Sequence, residues 1–357
     1  MTSLFSPLTL RSTTFANRAW VSPMCQYSAE RGVVGPWHLV HLGSFATGGA
    51  GLVMAEASAV NPEGRISVAC PGLWNEEQVH AWSTVTDFIH SQGTVTGIQL
   101  AHAGRKGSTL RPWDDHTTAT SEEGGWPTVA PSALAFEGYP VPHALDVEEI
   151  DKVVQDFADA AERARRAHFD LVEIHAAHGY LLHEFLSPLS NQRVDDYGGS
   201  LENRSRFLLR VVAAVRERIG EDVPLFVRIS ATDYVEGGWG IDESVALCQM
   251  LRVAGVDLID VSSGGNVANA TIPLGPGYQV PFARRIRAEA SIPTAAVGLI
   301  TEPMQAQEIV EDGSADAVFL ARGFLRNPRW ALAAAEALGE YVPWPVQLTR
   351  ARTLHRP

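Results

Sequence analysis

Short runs of β-branched and small apolar residues alternate with longer amphipathic stretches along almost the whole chain. The runs that read as strands are Ala19–Ser22, Gly51–Ala57, Val95–Leu100, Leu171–His175, Leu225–Ser230, Leu258–Val261, Thr294–Val297 and Ala317–Leu320. Each has strand length and is bounded by turn formers. The stretches between them carry helical spacing over Asn75–His90, Val147–Ala167, Leu201–Ile219, Asp242–Ala254, Pro281–Ala290, Pro303–Glu311 and Asn327–Ala337. Thr301 ahead of Pro303, and Asn327-Pro328, read as helix starts with proline in the first turn. Gly220 and Gly255 stand just past helix ends, where a left-handed residue is wanted.

Strands alternating with helices imply parallel pairing through right-handed crossovers. Eight such units without linker composition between them predict an α/β fold, a closed (β/α)₈ TIM barrel formed as one domain over residues 1–357. The rival, a doubly wound open sheet, would carry Gly-x-Gly-x-x-Gly after a strand, and no strand is followed by one. The long irregular stretch 111–146, rich in Pro, Gly and Trp, follows the third strand and reads as a lid-like loop insertion.

Composition narrows the class. The chain is 45% apolar and 19% charged, ample for a packed core. Its 28 Lys and Arg stand against 41 Asp and Glu, a formal charge of −13 that repels phosphate backbones and speaks against nucleic-acid binding. No apolar run is long enough to span a bilayer, and Met1–Arg11 lacks the apolar centre of a signal peptide. Cys25, Cys70 and Cys248 are too scattered for a disulfide framework, so a reduced, cytoplasmic setting is expected.

In a barrel, chemistry collects at the C-terminal strand ends. Those ends here read Ser22-Pro-Met-Cys-Gln-Tyr27, Glu56-Ala57, Gln99-Leu-Ala-His102-Ala-Gly-Arg-Lys106, His175-Ala-Ala-His178-Gly-Tyr180, Arg228, Ser262-Ser-Gly-Gly265, Gly298 and Ala321-Arg322. His175 and His178 admit three uses: a hydrogen-bonded core pair, part of a metal site completed by His102, Glu173 or His183, or two donors converging on one substrate oxygen. Tyr180 then stands where a proton donor would. Arg228, within an apolar strand, needs an anionic partner, either a barrel carboxylate such as Glu173 or a cofactor that gains negative charge on reduction. Gly298 and Arg322 follow the seventh and eighth strands, the usual phosphate position of barrels, although a surface salt bridge would also suit Arg322. Gln99 can both donate and accept, which suits a ring with imide and carbonyl edges, and equally a plain strand glutamine. Cys25 is by default a buried, unreactive thiol.

Taken together these blocks resemble the Old Yellow Enzyme family, in particular its thermophilic-like branch of FMN-dependent ene-reductases and xenobiotic reductases. The resemblance runs from Asn17-Arg18 and Ser22–Tyr27 through Ala101–Lys106, Glu173–Leu181, Ser187–Asn191, Asp196–Ser200, Glu202–Arg204 and Gly277–Gln279 to Pro345–Gln347. It implies a barrel holding FMN without a covalent bond, with NADPH or NADH as reductant. It further implies an NADPH dehydrogenase, or ene-reductase, that reduces C=C bonds conjugated to carbonyl or nitro groups: small-molecule enones, enals and nitro compounds. The cycle is ping-pong, through a hydride on flavin N5.

By the same resemblance Ser22, Pro23, Met24, Cys25, Ala57, Gln99 and Arg228 contact the flavin ring, and Gly298, Ala321 and Arg322 its phosphate end. His175 and His178 hold the substrate oxygen, Tyr180 gives the proton, Tyr27 adds a substrate hydrogen bond, and Cys25 tunes the flavin. A homodimer or homotetramer is implied, with the tail 343–357 reaching a neighbouring subunit's site through Arg350. Two positions depart from the family: Ala321 where relatives often have Gly, and Leu348 where they have Tyr before the tail arginine. Two other classes stay open, a metal hydrolase using His102, His175 and His178, and a flavin-storage or sensing protein.

Overall fold

The computed structural model describes residues 2–114 and 117–352. Eight parallel strands close into a barrel: Ala19–Val21, Leu52–Ala59, Val95–Ala101, Leu171–Ala176, Leu225–Ser230, Leu258–Ser262, Thr294–Ala296 and Ala317–Leu320, the last pairing with the first. Each corresponds to one of the expected runs, and the fold is the (β/α)₈ barrel.

The alternation of each strand decides what fills the interior. Inward positions step from apolar residues near the strand starts to polar ones near their ends: Trp20 then Ser22, Leu171 then Glu173 and His175, Phe226 then Arg228 and Ser230, Leu258 then Asp260 and Ser262. Trp20, Met54, Leu171, Phe226, Leu258 and Phe319 therefore form an apolar core at one end. A hairpin of Leu8–Leu10 and Thr13–Phe15 closes that end, with the Phe15 ring 4.7 Å from Trp20. The opposite end of the same interior carries the ionisable groups.

A larger apolar layer lies between strands and helices. The helix Val147–Arg166 shows why it forms. Asp146 Oδ1 takes the Glu149 N–H and Glu149 Oε2 takes the Asp146 N–H, both at 2.8 Å, a reciprocal cap. Ile150, Val153, Val154, Phe157, Ala161 and Ala164 then recur on one buried face.

Some boundaries differ from expectation. The helix after Thr301 begins at Pro303 with Glu302 in the cap position and no side-chain cap; the Thr301 N–H instead donates to Gln305 Oε1 at 3.1 Å. The last expected helix starts at Trp330, because Asn327 ends a separate short helix, Arg322–Arg326, and its Oδ1 accepts the Arg329 N–H in an intervening turn. Gly220 and Gly255 do take positive φ, 75° and 92°. Leu52–Ala59 shifts register between Ala55 and Ser58, a bulge that re-aims Glu56 and Ala57 at the strand end.

The loop 111–146, of which Asp115 and His116 lie outside the described residues, contains a 3₁₀ turn at Ser121–Glu123. It also holds a two-residue parallel pair, Val129–Ala130 with His143–Ala144. Of the tail 343–357, residues 353–357 lie outside the described residues; Val346–Ala351 is a 3₁₀ turn with Arg350 exposed. Among the described residues no helix is long and apolar enough to cross a membrane.

Candidate active site at the barrel mouth

Four adjacent strands bring the first group together. Gln99 pairs in register with Glu173, His175 with Arg228, and Arg228 with Asp260. All five are buried. Arg228 Nε lies 3.1 Å from Asp260 Oδ2, and its Nη2 reaches Ser22 Oγ at 3.4 Å. The buried counterion is thus Asp260, from the next strand, rather than Glu173. Gln99 Nε2 donates to Glu173 Oε1 at 2.8 Å. Two carboxylates share one guanidinium, so burial and mutual repulsion push Glu173 up to about 8, and burial pushes Asp260 up to about 6.

The histidine pair stands above this layer. The Ala177 N–H donates to His175 Nδ1 at 3.2 Å, which leaves the ring proton of the neutral imidazole on Nε2. His175 Nε2 is 3.4 Å from His178 Nδ1, and the rings meet edge to face at 5.1 Å. His178 Nε2 lies 2.7 Å from Ser262 Oγ, and the His178 N–H donates to Ser230 Oγ at 2.9 Å. Burial first, and then the Arg228 charge, holds both imidazoles well below their usual range, so both are neutral. His178 has φ 61° and Gly179 φ 69°, and a side chain at 179 would fall 2.4 Å from the Gly265 carbonyl oxygen. This tight left-handed turn delivers Tyr180, whose ring meets His175 edge to face at 5.0 Å. Burial keeps the Tyr180 hydroxyl protonated far past neutral pH.

Cys25 and Tyr27 lie on the loop after the first barrel strand. The Cys70 thiol hydrogen-bonded to Cys25, together with burial, pushes Cys25 up, so it is a neutral thiol. Glu56 Oε2 accepts the Gln26 N–H at 2.9 Å and its Oε1 lies 3.3 Å from His38 Nε2, so the carboxyl anchors that loop from behind. The loop 111–146 touches the same mouth: Arg111 Nε donates to the Tyr27 carbonyl at 3.2 Å, and the Trp113 ring meets Tyr27 edge to face at 5.9 Å. Tyr27, Lys106, Tyr139 and Tyr180 border an opening of about 340 Å³.

Lys106 and Ser262 stood among the polar strand ends with no role assigned, and Ser230 was not singled out. Lys106 Nζ donates to the carbonyls of His178 and Gly265 at 2.8 and 2.7 Å, tying the left-handed turn down. Its position beside Arg105 in Ala101–Lys106, and the seating of both serines at strand ends, were the available signals.

A second cavity, of about 200 Å³, lies beyond Ser262 and is bordered by Gly298, Ala321, Arg322 and Arg326. Gly298 has φ 116°, and a side chain there would meet Gln279 Nε2 at 2.7 Å, so the backbone comes close to the cavity wall as a phosphate cradle requires. These residues fit FMN. Arg322 would take the phosphate, and Arg228 and Gln99 the polar edge of the ring. His102 does not join the histidine pair: its Nδ1 accepts the Gly104 N–H at 3.2 Å. Among the described residues no three His, Cys, Asp or Glu side chains gather as a metal site. Arg350 is in the tail, whose residues Pro343–Gln347 border a groove with Asn17 and Thr94, at the strand starts and so the opposite end of the barrel.

Residues 3–340 match the model of the NADH:flavin oxidoreductase / NADH oxidase family. The chain is 49% identical over 352 residues to an NADPH dehydrogenase of Geobacillus thermodenitrificans, covering 98% of each. It is 46% identical over 350 residues to an NADPH dehydrogenase of Bacillus subtilis, covering 97% of this chain and 98% of the other. Among solved structures it is similar to morphinone reductase in complex with tetrahydroNAD, with TM-score 0.78, 31% identity, and coverage of 96% of this chain and 92% of that one.

Proposed function

Because the chain belongs to the NADH:flavin oxidoreductase / NADH oxidase family, we propose that it reduces C=C bonds conjugated to a carbonyl or nitro group. It is an NADPH dehydrogenase-type oxidoreductase whose cofactor is FMN, with NADPH or NADH as reductant. FMN held by these residues would supply hydride transfer from the nicotinamide to the β-carbon of the alkene. The rest of the reaction falls to the residues of this chain.

Charge builds on the substrate oxygen as the β-carbon is reduced. His175 presents Nε2–H to that oxygen. The Ser262 hydroxyl, 2.7 Å from His178 Nε2, donates there and leaves the second ring's proton on Nδ1, beside His175. Two neutral N–H groups then converge on one point, and their bonds strengthen as the oxygen becomes enolate-like or nitronate-like. Tyr180, the next polar side chain on the turn and still protonated, hands its proton to the α-carbon. Tyr27 adds a further hydrogen bond at the mouth. Ser22, Pro23, Met24, Cys25, Ala57, Gln99 and Arg228 hold the flavin ring, with the Arg228 charge favouring the reduced, anionic form. Gly298, Ala321 and Arg322 hold the phosphate. The chain acts in the cytoplasm as a homodimer or homotetramer, in which Arg350 reaches the neighbouring subunit's mouth.

The observation that carries this reading is the pair of neutral imidazoles beside a protonated tyrosine, above a buried guanidinium. Among the described residues no carboxylate orients either imidazole as the base of a nucleophile, which suits reduction better than hydrolysis. Anaerobic incubation with NADPH and 2-cyclohexenone tests it: the account expects one cyclohexanone per NADPH consumed. A bound flavin with no NADPH consumption would leave a flavin-storage protein instead.

A further inference from the structure

Glu173 is fully buried inside the barrel, opposite Gln99 in the strand register. Its Oε1 accepts the Gln99 Nε2–H at 2.8 Å, while its Oε2 has no hydrogen-bond partner. Among the described residues this is the only hydrogen bond of the Gln99 side chain. An amide can be turned either way about its last torsion, and only its partners decide which atom faces where. With Nε2 turned to Glu173, Gln99 Oε1 is left without a hydrogen-bond partner among the described residues.

We propose that Glu173 is a positioning residue for the flavin: by taking Gln99 Nε2 it presents Gln99 Oε1, an acceptor, to the N3–H of the flavin's imide edge. This rests on FMN lying across the barrel mouth. A freely turning amide would offer its donor and its acceptor equally, and an acceptor fixed in advance gains affinity for an N–H edge by losing less freedom on binding. No other group shares the Gln99 amide, so the orientation depends on this one contact.

Titration of flavin-free protein with FMN and with N3-methyl-FMN, followed by flavin fluorescence, tests the assignment without using turnover. In the wild type the methyl group should weaken binding at least about tenfold, the weight of one lost hydrogen bond. In Glu173→Met the amide turns freely, so FMN should bind more weakly and the penalty for the methyl group should shrink severalfold. Glu173→Gln can pair with Gln99 through either its carbonyl or its NH2, so it should give a penalty between those of the wild type and Glu173→Met. A Glu173→Met protein that weakens both flavins equally and keeps the full penalty would overturn the assignment and leave the cofactor reading intact. Should Glu173→Met not fold, Gln99→Leu carries the test: the methyl penalty should shrink there too, and an unchanged penalty overturns the proposal. Wild-type protein that binds neither flavin would overturn both.

Discussion

Ser262 Oγ lies 2.7 Å from His178 Nε2, and the serine belongs to a different strand from the one that leads into the histidine turn. The contact is long-range in sequence, and where the hydroxyl gives its proton to Nε2 rather than to Gln279 Oε1, 3.4 Å away, the ring's own proton sits on Nδ1. With Ser262 as donor, His178 turns a second N–H toward the spot that His175 Nε2 already faces.

Ser262→Ala should therefore weaken the grip on the substrate oxygen while leaving the cofactor in place. One hydrogen bond is worth about 1 kcal/mol, so kcat/KM for an enone should fall between roughly fivefold and tenfold. FMN content should not change. Steady-state kinetics beside the flavin-to-protein absorbance ratio checks it, and an unaltered kcat/KM would remove the serine from this role.

Arg228 neutralises a layer that holds two buried carboxylates. In Arg228→Leu, Asp260 and Glu173 lose the buried guanidinium they face, which costs about 3 kcal/mol or more in stability and leaves the flavin's reduced form without its countercharge. The purified variant should melt at a lower temperature and carry less FMN. Full occupancy with wild-type melting would contradict the placement of this guanidinium.

Tyr180 titrates well above 10, so its proton is available throughout the neutral range. Tyr180→Phe should slow reoxidation of the reduced enzyme by an enone at least about tenfold, and leave its reduction by NADPH near the wild-type rate. Between pH 6 and 9 the wild-type reoxidation rate should show no step from this group. Equal slowing of both half-reactions would point to a structural effect instead.

Glu184 is fully buried behind the histidine turn, its Oε1 accepts the Arg105 N–H at 2.9 Å, and burial pushes its carboxyl up to about 8. Between its ordinary pKa and about 8 the folded chain holds a proton that the unfolded chain releases, so this group's contribution to stability declines as pH rises through that window. Glu184→Gln keeps the acceptor and cannot ionise. It should melt higher than wild type by a margin that grows from pH 6 to pH 9. A margin that does not change with pH would show that Glu184 is ionised when folded.

The architecture was legible because the alternation is strong: all eight expected strands lie within two residues of the observed ones, since parallel strands buried on both faces must be apolar almost throughout. Local chemistry was less decisive at Asn327, where the side chain capped a turn and the helix began later. Within the site, Arg228, His175 and Gln99 announce themselves as polar residues at inward positions of apolar strands. Their partners could not be read the same way. Asp260 looks like any strand aspartate, Ser262 like any strand end, and Lys106 like a surface lysine until the fold brings it to the His178 carbonyl. Which polar group answers which is fixed by strand register and barrel closure, neither of which a linear pattern carries.

The most direct test follows flavin absorbance by stopped flow in wild type and His178→Ala, first on mixing with NADPH and then on mixing the reduced protein with 2-cyclohexenone. The account predicts that NADPH bleaches both proteins. The enone should restore the wild-type colour rapidly and that of His178→Ala about 10²-fold more slowly, the scale of one donor lost from a developing oxyanion. Equal recovery in the two proteins, or no bleaching at all, would contradict it.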